Sequence, residues 1–393
     1  MPQITLPGVG MTQFASADHR SLVSLAATAC RRAVDDAGLD RGDVTSLHAG
    51  TALAEALGQQ SGLANALAGA LGIEGVSADR VENTSATGAT AVHRGIEAVA
   101  SGASAVALVV GAERMSAADT SAVTDAISRL THSREYAQGL TLPSFGGLAA
   151  GAYLDRHDAP REALAAVAVK NHRNAVANEV AQFRREVTVE DALDSPVVAE
   201  PLRLYDCCPM SDGAAAVVVT RGDRDEVGDG DRQDSDADRP VRVTAHASAT
   251  GTHPVAERPD PLAIESVRVA GERLFDAAGV GPDDVDVACI HDAFTVLELI
   301  ELEELGFYEP GTAWKATMEG ETAIDGALPV NPGGGLKARG HPLGATGVSQ
   351  IVELVWQLRG DLPDERRVDG ARRGIAVNVA GFGNNSVCTM LEA

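Results

Sequence analysis

The sequence predicts an α/β protein assembled from two similar halves, and three observations carry that expectation. Helix-like and strand-like segments alternate along the chain. Ser21 to Gly38 has helix composition and stops on glycine, while 105–111 (AVALVVG) is the unbroken apolar run of a strand covered on both faces. Such alternation stacks helices in layers against a sheet. The second observation is an internal echo. AVDDAGLDRGDVTSL at 33–47 aligns without gaps on LFDAAGVGPDDVDVA at 274–288, with Gly38 on Gly279, Asp43 on Asp284 and Val44 on Val285. The third is another echo: SATGATAVHRGIEAV from Ser85 resembles GATGVSQIVELVWQL from Gly344. Each half therefore offers a helix, a turn, a strand and later an A-T-G turn that opens a helix.

These repeats divide the chain into a first half over 1–220 and a second over 241–393. Residues 115–200 interrupt the first half with mixed helical and irregular sequence, an inserted lobe. Between the halves, 221–240 (RGDRDEVGDGDRQDSDADRP) is almost pure charge plus glycine, with no apolar face to bury, and reads as a solvated acidic linker. If the halves pack about a pseudo-twofold axis, the two A-T-G helix mouths face a common centre. Ser85 stands at one mouth and His341 just before the other.

Bulk composition narrows the function. The 393 residues are 45% apolar, enough for a substantial core, and carry a net charge of −24. That charge excludes nucleic acid and anionic membrane surfaces as partners. Three lysines (Lys170, Lys315, Lys337) stand against 29 arginines. Excess carboxylate with so little lysine is expected of a protein kept hydrated at very high salt, where repulsion is screened. The five cysteines, Cys30, Cys207, Cys208, Cys289 and Cys388, form no disulfide framework. Cys207 and Cys208 are adjacent and miss the CxxC metal pattern, so no metal site is expected. The N-terminus lacks a signal-peptide pattern and no apolar run reaches ~18 residues, which leads to the expectation of a soluble cytoplasmic protein.

Four stretches can carry chemistry: VENTSATGATA (81–91), CIHDAF (289–294), NPGGGLKARGHPLGATG (331–347) and NVAGFGNN (378–385). Each sets polar or glycine-rich residues beside an apolar run, as at the strand ends where α/β sheets build sites. Taken in isolation, Ser85 fits a helix N-cap as well as a nucleophile. The glycine run 333–335 lacks the GxxxxGK spacing of a nucleotide loop. His48, His93, His132 and His172 have no evident partner, Asp206, Asp212 and Gly213 shape a turn, and Cys207 and Cys208 read as packed small residues.

GHPLGATG (340–347) resembles the G-H-P-x-G-x-[ST]-G loop of thiolases, and HDAF (291–294) resembles the H-D-C-F of their sterol-carrier-protein type. KNHRNAVANEVAQFR (170–184) and DCCPMSDGAAAVVV (206–219) are similar to the same subgroup, so the resemblance spans nearly the whole chain. It implies a five-layered α-β-α-β-α fold of two similar halves with a loop lobe over the site, and at least a homodimer. In thiolases the fifth position of the first stretch is the acyl-accepting cysteine; here it is Ser85. The family's acid/base cysteine falls on Val379, and the cysteine of H-D-C-F on Ala293. No cysteine stands at a catalytic position, leaving Ser85, His291 and His341, a set resembling that of haloarchaeal β-ketothiolase catalytic subunits.

The implied reaction joins acyl-CoA and acetyl-CoA reversibly into 3-ketoacyl-CoA through acyl-Ser85, on short-chain substrates, supplying polyhydroxyalkanoate precursors. Coenzyme A thioesters are then substrates, with no permanently bound cofactor. An alcohol is not ionised at neutral pH, unlike a thiol with pKa of about 8.5, so Ser85 needs a base. His341 is expected in that role, kept neutral by the positive end of the helix after it. His291 is expected to take the α-carbon proton, with the exchange of roles between the two histidines left open by the sequence. Backbone N–H groups at Ser85, Gly381 and Gly383 are the expected oxyanion hole. Archaeal relatives act with a small OB-fold, zinc-ribbon subunit; this chain holds no such module, so a separate partner is expected beside a homodimer core. Two rival readings stand: a decarboxylating ketoacyl-synthase-like enzyme, suggested by NVAGFGNN, and a non-catalytic acyl-CoA-binding scaffold.

Overall fold

The structure is a computed structural model and describes residues 2–222 and 240–393. The first half opens with β1 (Ile4–Met11), α1 (Leu22–Asp36), β2 (Ser46–Gly50), α2 (Leu63–Leu71), β3 (Ser77–Val81), α3 (Thr87–Ser101) and β4 (Val106–Arg114). A lobe of helices follows: α4 (Thr120–Ser128), α5 (Ser133–Ala137), α6 (Leu142–Arg156), α7 (Glu162–Ala175) and α8 (Val189–Asp194). The short hairpin of β5 (Val197–Ala199) and β6 (Leu202–Arg203) ends it, and β7 (Asp212–Arg221) completes the half. The second half runs β8 (Arg242–Thr250), α9 (Glu265–Ala278), β9 (Val287–Cys289), α10 (Thr295–Glu304) and α11 (Ala313–Glu319). It closes with α12 (Leu343–Arg359), β10 (Arg373–Ala380) and β11 (Asn385–Glu392). Apart from Arg221, Gly222 and Pro240, the expected linker 221–240 lies outside the described residues, and Arg221 is the last residue of β7.

The duplication is visible in strand order. The first half is ordered β3-β2-β4-β7-β1 and the second β8-β11-β10-β9. Read outward from the equivalent strands β1 and β8, the pairings match: β7–β1 and β11–β8 are antiparallel, β4–β7 and β10–β11 antiparallel, β2–β4 and β10–β9 parallel. Even β3 has a remnant counterpart, an isolated parallel bridge of Val330 to Ala288 on β9. β1 and β8 pair through Ile4↔Val243 and Thr5↔Arg242, joining the halves into one nine-stranded sheet.

Layering follows from which faces are apolar. α1 packs on β1, β7 and β4, and α9 packs on β8 and β11, while α3 and α12 touch each other and strands of both halves. The order is therefore outer helices, sheet, central helix pair, sheet, outer helices. In β7 the period of two splits the side chains cleanly: Ala214, Ala216 and Val218 join the cluster under α1, and Ala215, Val217 and Val219 join the central one. β4 divides the same way, which explains its unbroken apolar run. Ser21 caps α1 by accepting the Ser24 N–H at 3.2 Å. No helix of the described residues is long and apolar enough to cross a membrane.

The A-T-G echo has a packing cause. A Cβ on Gly88 of α3 would lie 2.8 Å from Gly344 O and 2.8 Å from Gly347 N. One on Gly347 of α12 would lie 2.2 Å from Ala89 N. The central helices thus meet backbone to backbone, and only glycine fits. Gly347→Ala is expected to lower stability by about 3 kcal/mol, the upper end for overpacking, because the clash is with backbone. Denaturant unfolding measures it, and an unchanged midpoint would refute the account.

Candidate active site

The glycine crossing delivers two loops to one place. Ser85 lies in the turn before α3 and His341 in the turn before α12, and both line a cavity of about 130 Å³ together with His291 and Gly381. The rest of its wall is mostly apolar and includes Met115, Ile127, Leu142, Phe294 and Leu343. Gly383, expected as a backbone donor, is not in that wall; a Cβ there would lie 2.6 Å from Ile264 and 3.3 Å from the Arg258 guanidinium. Gly381, at φ +58°, lines the cavity, whereas Gly383 lines a separate pocket with Gly251 and Arg258.

Ser85 is not the helix cap. The helix begins at Thr87 with Ala86 as its cap residue, and no side chain caps it. Thr87 Oγ1 ties the turn instead, donating to Thr84 O at 2.6 Å and accepting the Asn83 N–H at 2.8 Å. The Ser85 side chain is buried at 3% exposure and has no hydrogen bond among the described residues. Thr84 beside it sits at φ +46°, a left-handed conformation rare for a β-branched residue and worth about 1–3 kcal/mol of strain.

The two imidazoles meet edge to face, with centroids 5.1 Å apart. Both are neutral. Burial, then the charge of Arg339, pushes His341 down to about 3. Burial, then His341, holds His291 well below the usual imidazole range. Desolvation, not the expected helix end, is the leading cause. Their tautomers differ. His341 Nδ1 lies 2.7 Å from Thr346 Oγ1, whose single proton goes to Pro342 O at 3.1 Å. Nδ1 therefore donates, and Nε2 of His341 keeps a free lone pair. His291 Nδ1 accepts from Asn378 Nδ2 at 3.0 Å, which leaves the proton on Nε2.

Behind these groups is a buried polar frame that sequence reasoning did not assign. Asp292 does not pair with His291; it accepts from Asn171 Nδ2 (2.8 Å), Leu336 N (2.6 Å) and Lys337 N (3.2 Å). Burial, then Glu298, raises it to about 6. Glu301 accepts the His291 N–H at 3.1 Å. Lys170 pairs with Glu298 at 3.0 Å, and Asn331 Nδ2 donates to the same carboxylate at 2.8 Å. Glu113, fully buried at the end of β4, accepts from Thr51 Oγ1 and from the N–H groups of Ala52, Leu53 and Gly344. It clips the α12 mouth to the first half. The K-N-x-x-N pattern at 170–174 was the available signal for part of this frame. Asp206 and Asp212 likewise hold loops, through Arg161 and through the N–H groups of Asp18 and Ser116. Among the described residues no cluster of His, Cys, Asp or Glu could hold a metal ion.

Comparison with known proteins agrees with this geometry. Residues 7–223 match the family described as Thiolase, N-terminal domain, and 247–393 match Thiolase C-terminal domain-like. The acetyl-CoA acetyltransferase of Methanothermobacter thermautotrophicus is 38% identical over 387 residues, covering 98% of each chain. Sterol carrier protein 2 of Gallus gallus is 31% identical, over 99% of this chain and 71% of its own length. Among solved structures, an aldolase described as Ltp2-ChsH2(DUF35) superposes with TM-score 0.83 at 26% identity, covering 100% of this chain and 98% of that one. With the duplicated sheet, the glycine crossing and both domain matches in register, the chain belongs to the thiolase family of acyltransferases.

Proposed function

We propose that the chain is the catalytic subunit of a β-ketothiolase that carries its acyl group on Ser85. The observation that supports this most is a hydroxyl without a hydrogen-bond partner in an apolar cavity lined by two neutral imidazoles of opposite tautomer. His341 Nε2 takes the Ser85 proton as Oγ attacks the carbonyl carbon of a 3-ketoacyl-CoA. The oxyanion that forms is met by the His291 Nε2–H and by backbone N–H groups at Ser85 and Gly381. His291 is then a donor, which revises the expectation that it removes the α-carbon proton. Dry, fixed donors of this kind act without reorganising during the reaction.

The cavity, about 130 Å³, is well under the ~300–1,000 Å³ of sites for drug-sized ligands, which favours short acyl groups. The acetyl-CoA acetyltransferase relatives support the same substrate class. Supply of polyhydroxyalkanoate precursors rests on the sequence resemblance alone. A separate small subunit is part of the reading: the structural neighbour is described with a second component, ChsH2(DUF35). A homodimer core, the division into halves at 1–220 and 241–393, and a cytoplasmic place complete it.

After brief exposure to acyl-CoA, mass spectrometry is expected to find the acyl increment on the peptide holding Ser85. Ser85→Ala should abolish both the increment and acetoacetyl-CoA cleavage, whereas Ser85→Cys should retain or raise cleavage. Undiminished cleavage by Ser85→Ala would end the proposal. The base must be neutral to act, and His341 is depressed to about 3. Initial acylation rates should therefore show no acid limb near the ordinary imidazole value of about 6.5; an inflection there would contradict the dry site. Thiolysis by the chain with an added OB-fold, zinc-ribbon subunit should exceed that of the chain alone, and equal rates would remove the partner.

A further inference from the structure

The acyl-Ser85 reading leaves a proton unassigned, and the following rests on that reading. When the C–C bond of a 3-ketoacyl-CoA breaks, the departing acetyl-CoA carbanion needs a proton. His341 then holds the proton of Ser85 and must keep it until Ser85 leaves. His291 Nδ1 is occupied by Asn378, and its Nε2–H is the oxyanion donor of that reading. The cavity wall holds two other acid–base side chains, Cys207 and Cys208.

Both stand in the segment threaded between the two histidine loops. Cys207 bridges Phe294, the Cys208 N–H donates to Ala293 O at 2.9 Å, and Met210 bridges His341. The thiols are not equivalent. Cys207 packs against the apolar cluster of the second half and the lobe, whereas Cys208 belongs to no apolar cluster. The Lys337 charge lies near both thiols, with Asp206 also near Cys207 and Asp292 near Cys208. Lys337 is a buried ammonium anchored by its bond to Cys207 O. It is placed to stabilise a transient thiolate.

We propose that the Cys208 thiol is the proton carrier of C–C bond cleavage and of the acyl transfer to CoA that follows, next to the position where Ala293 replaces the family's cysteine. As the C–C bond breaks, the Cys208 S–H proton passes to the α-carbon, giving acetyl-CoA and a Cys208 thiolate. The thiolate then takes the S–H proton of incoming CoA as its sulfur attacks the acyl-Ser85 carbonyl. The bond from that carbonyl to Ser85 Oγ breaks, and Oγ recovers its proton from the His341 imidazolium. All three groups return to their starting states. Burial, which pushes the Cys208 thiol up to about 12, keeps it protonated at rest.

The test separates the two half-reactions in the full chain, with its partner subunit if one is required. Acetyl-CoA is incubated in D₂O, acyl-Ser85 is followed by intact mass and deuterium entry into the methyl group by NMR. Cys208→Ala and the near-isosteric Cys208→Ser should be acylated on Ser85 at the wild-type rate by 4-nitrophenyl acetate, whose leaving group departs unprotonated, but more slowly by acetyl-CoA. Deuterium exchange and ketoacyl-CoA turnover should fall roughly 10²–10⁴-fold, the span of a general acid–base group. Unchanged exchange in Cys208→Ala would overturn the proposal. So would loss of acylation by 4-nitrophenyl acetate in both variants, since cavity shape rather than the thiol would then be at fault. Exchange by wild-type protein that never forms acyl-Ser85 would instead overturn the acyl-serine reading.

Discussion

The backbone contact between α3 and α12 is the constraint on which the rest depends. Gly88 and Gly347, equivalent in the two halves, remove the side chains that would hold the helices apart. Because Ser85 and His341 stand at the two helix mouths, this crossing sets how near they lie in the cavity wall. Glu113 reinforces it from the side, gathering N–H groups of the first half and of Gly344 on one buried carboxylate. Gly111 permits that approach, since a Cβ there would lie 2.1 Å from Gly344 O. Fold and chemistry are coupled through a few ångströms of close-packed main chain.

Burial then determines how the histidines behave. Two imidazoles in contact, one also near Arg339, cannot both gain charge in a dry cavity. Their hydrogen-bond partners decide which nitrogen is free. Thr346 leaves His341 a lone pair and Asn378 leaves His291 a proton, so two side chains of one type serve opposite purposes. The proposed acyl-serine route depends on this division more than a thiol route does, because an alcohol's proton must leave during the attack.

The layers, the duplication and the loops holding Ser85, His291 and His341 were legible in the sequence, because each rests on local pattern: apolar runs, an A-T-G echo, glycine-rich turns. What was not legible depends on contacts between distant segments. Nothing near Gly383 says that the chain has turned away from the cavity two residues after Gly381. Ser85 fits a cap by residue type, and only the observed helix start at Thr87 removes that reading. Asp292 is adjacent to His291 in the chain, yet its carboxylate serves the 335–337 turn. The partners that set the tautomers differ in reach: Thr346 is five residues from its histidine and Asn378 is 87 from its own.

The scarcity of lysine acquires a meaning from where the three lysines lie. Lys170 and Lys337 are buried at 8% and 3% exposure in the frame behind the cavity, and Lys315 alone has an exposed side chain. Thioesters acylate free amines without any catalyst. A protein whose substrates are such reagents presents them with a surface of guanidinium and carboxylate, neither of which competes for the acyl group. A composition so poor in lysine leaves the outside with few groups that a thioester acylates.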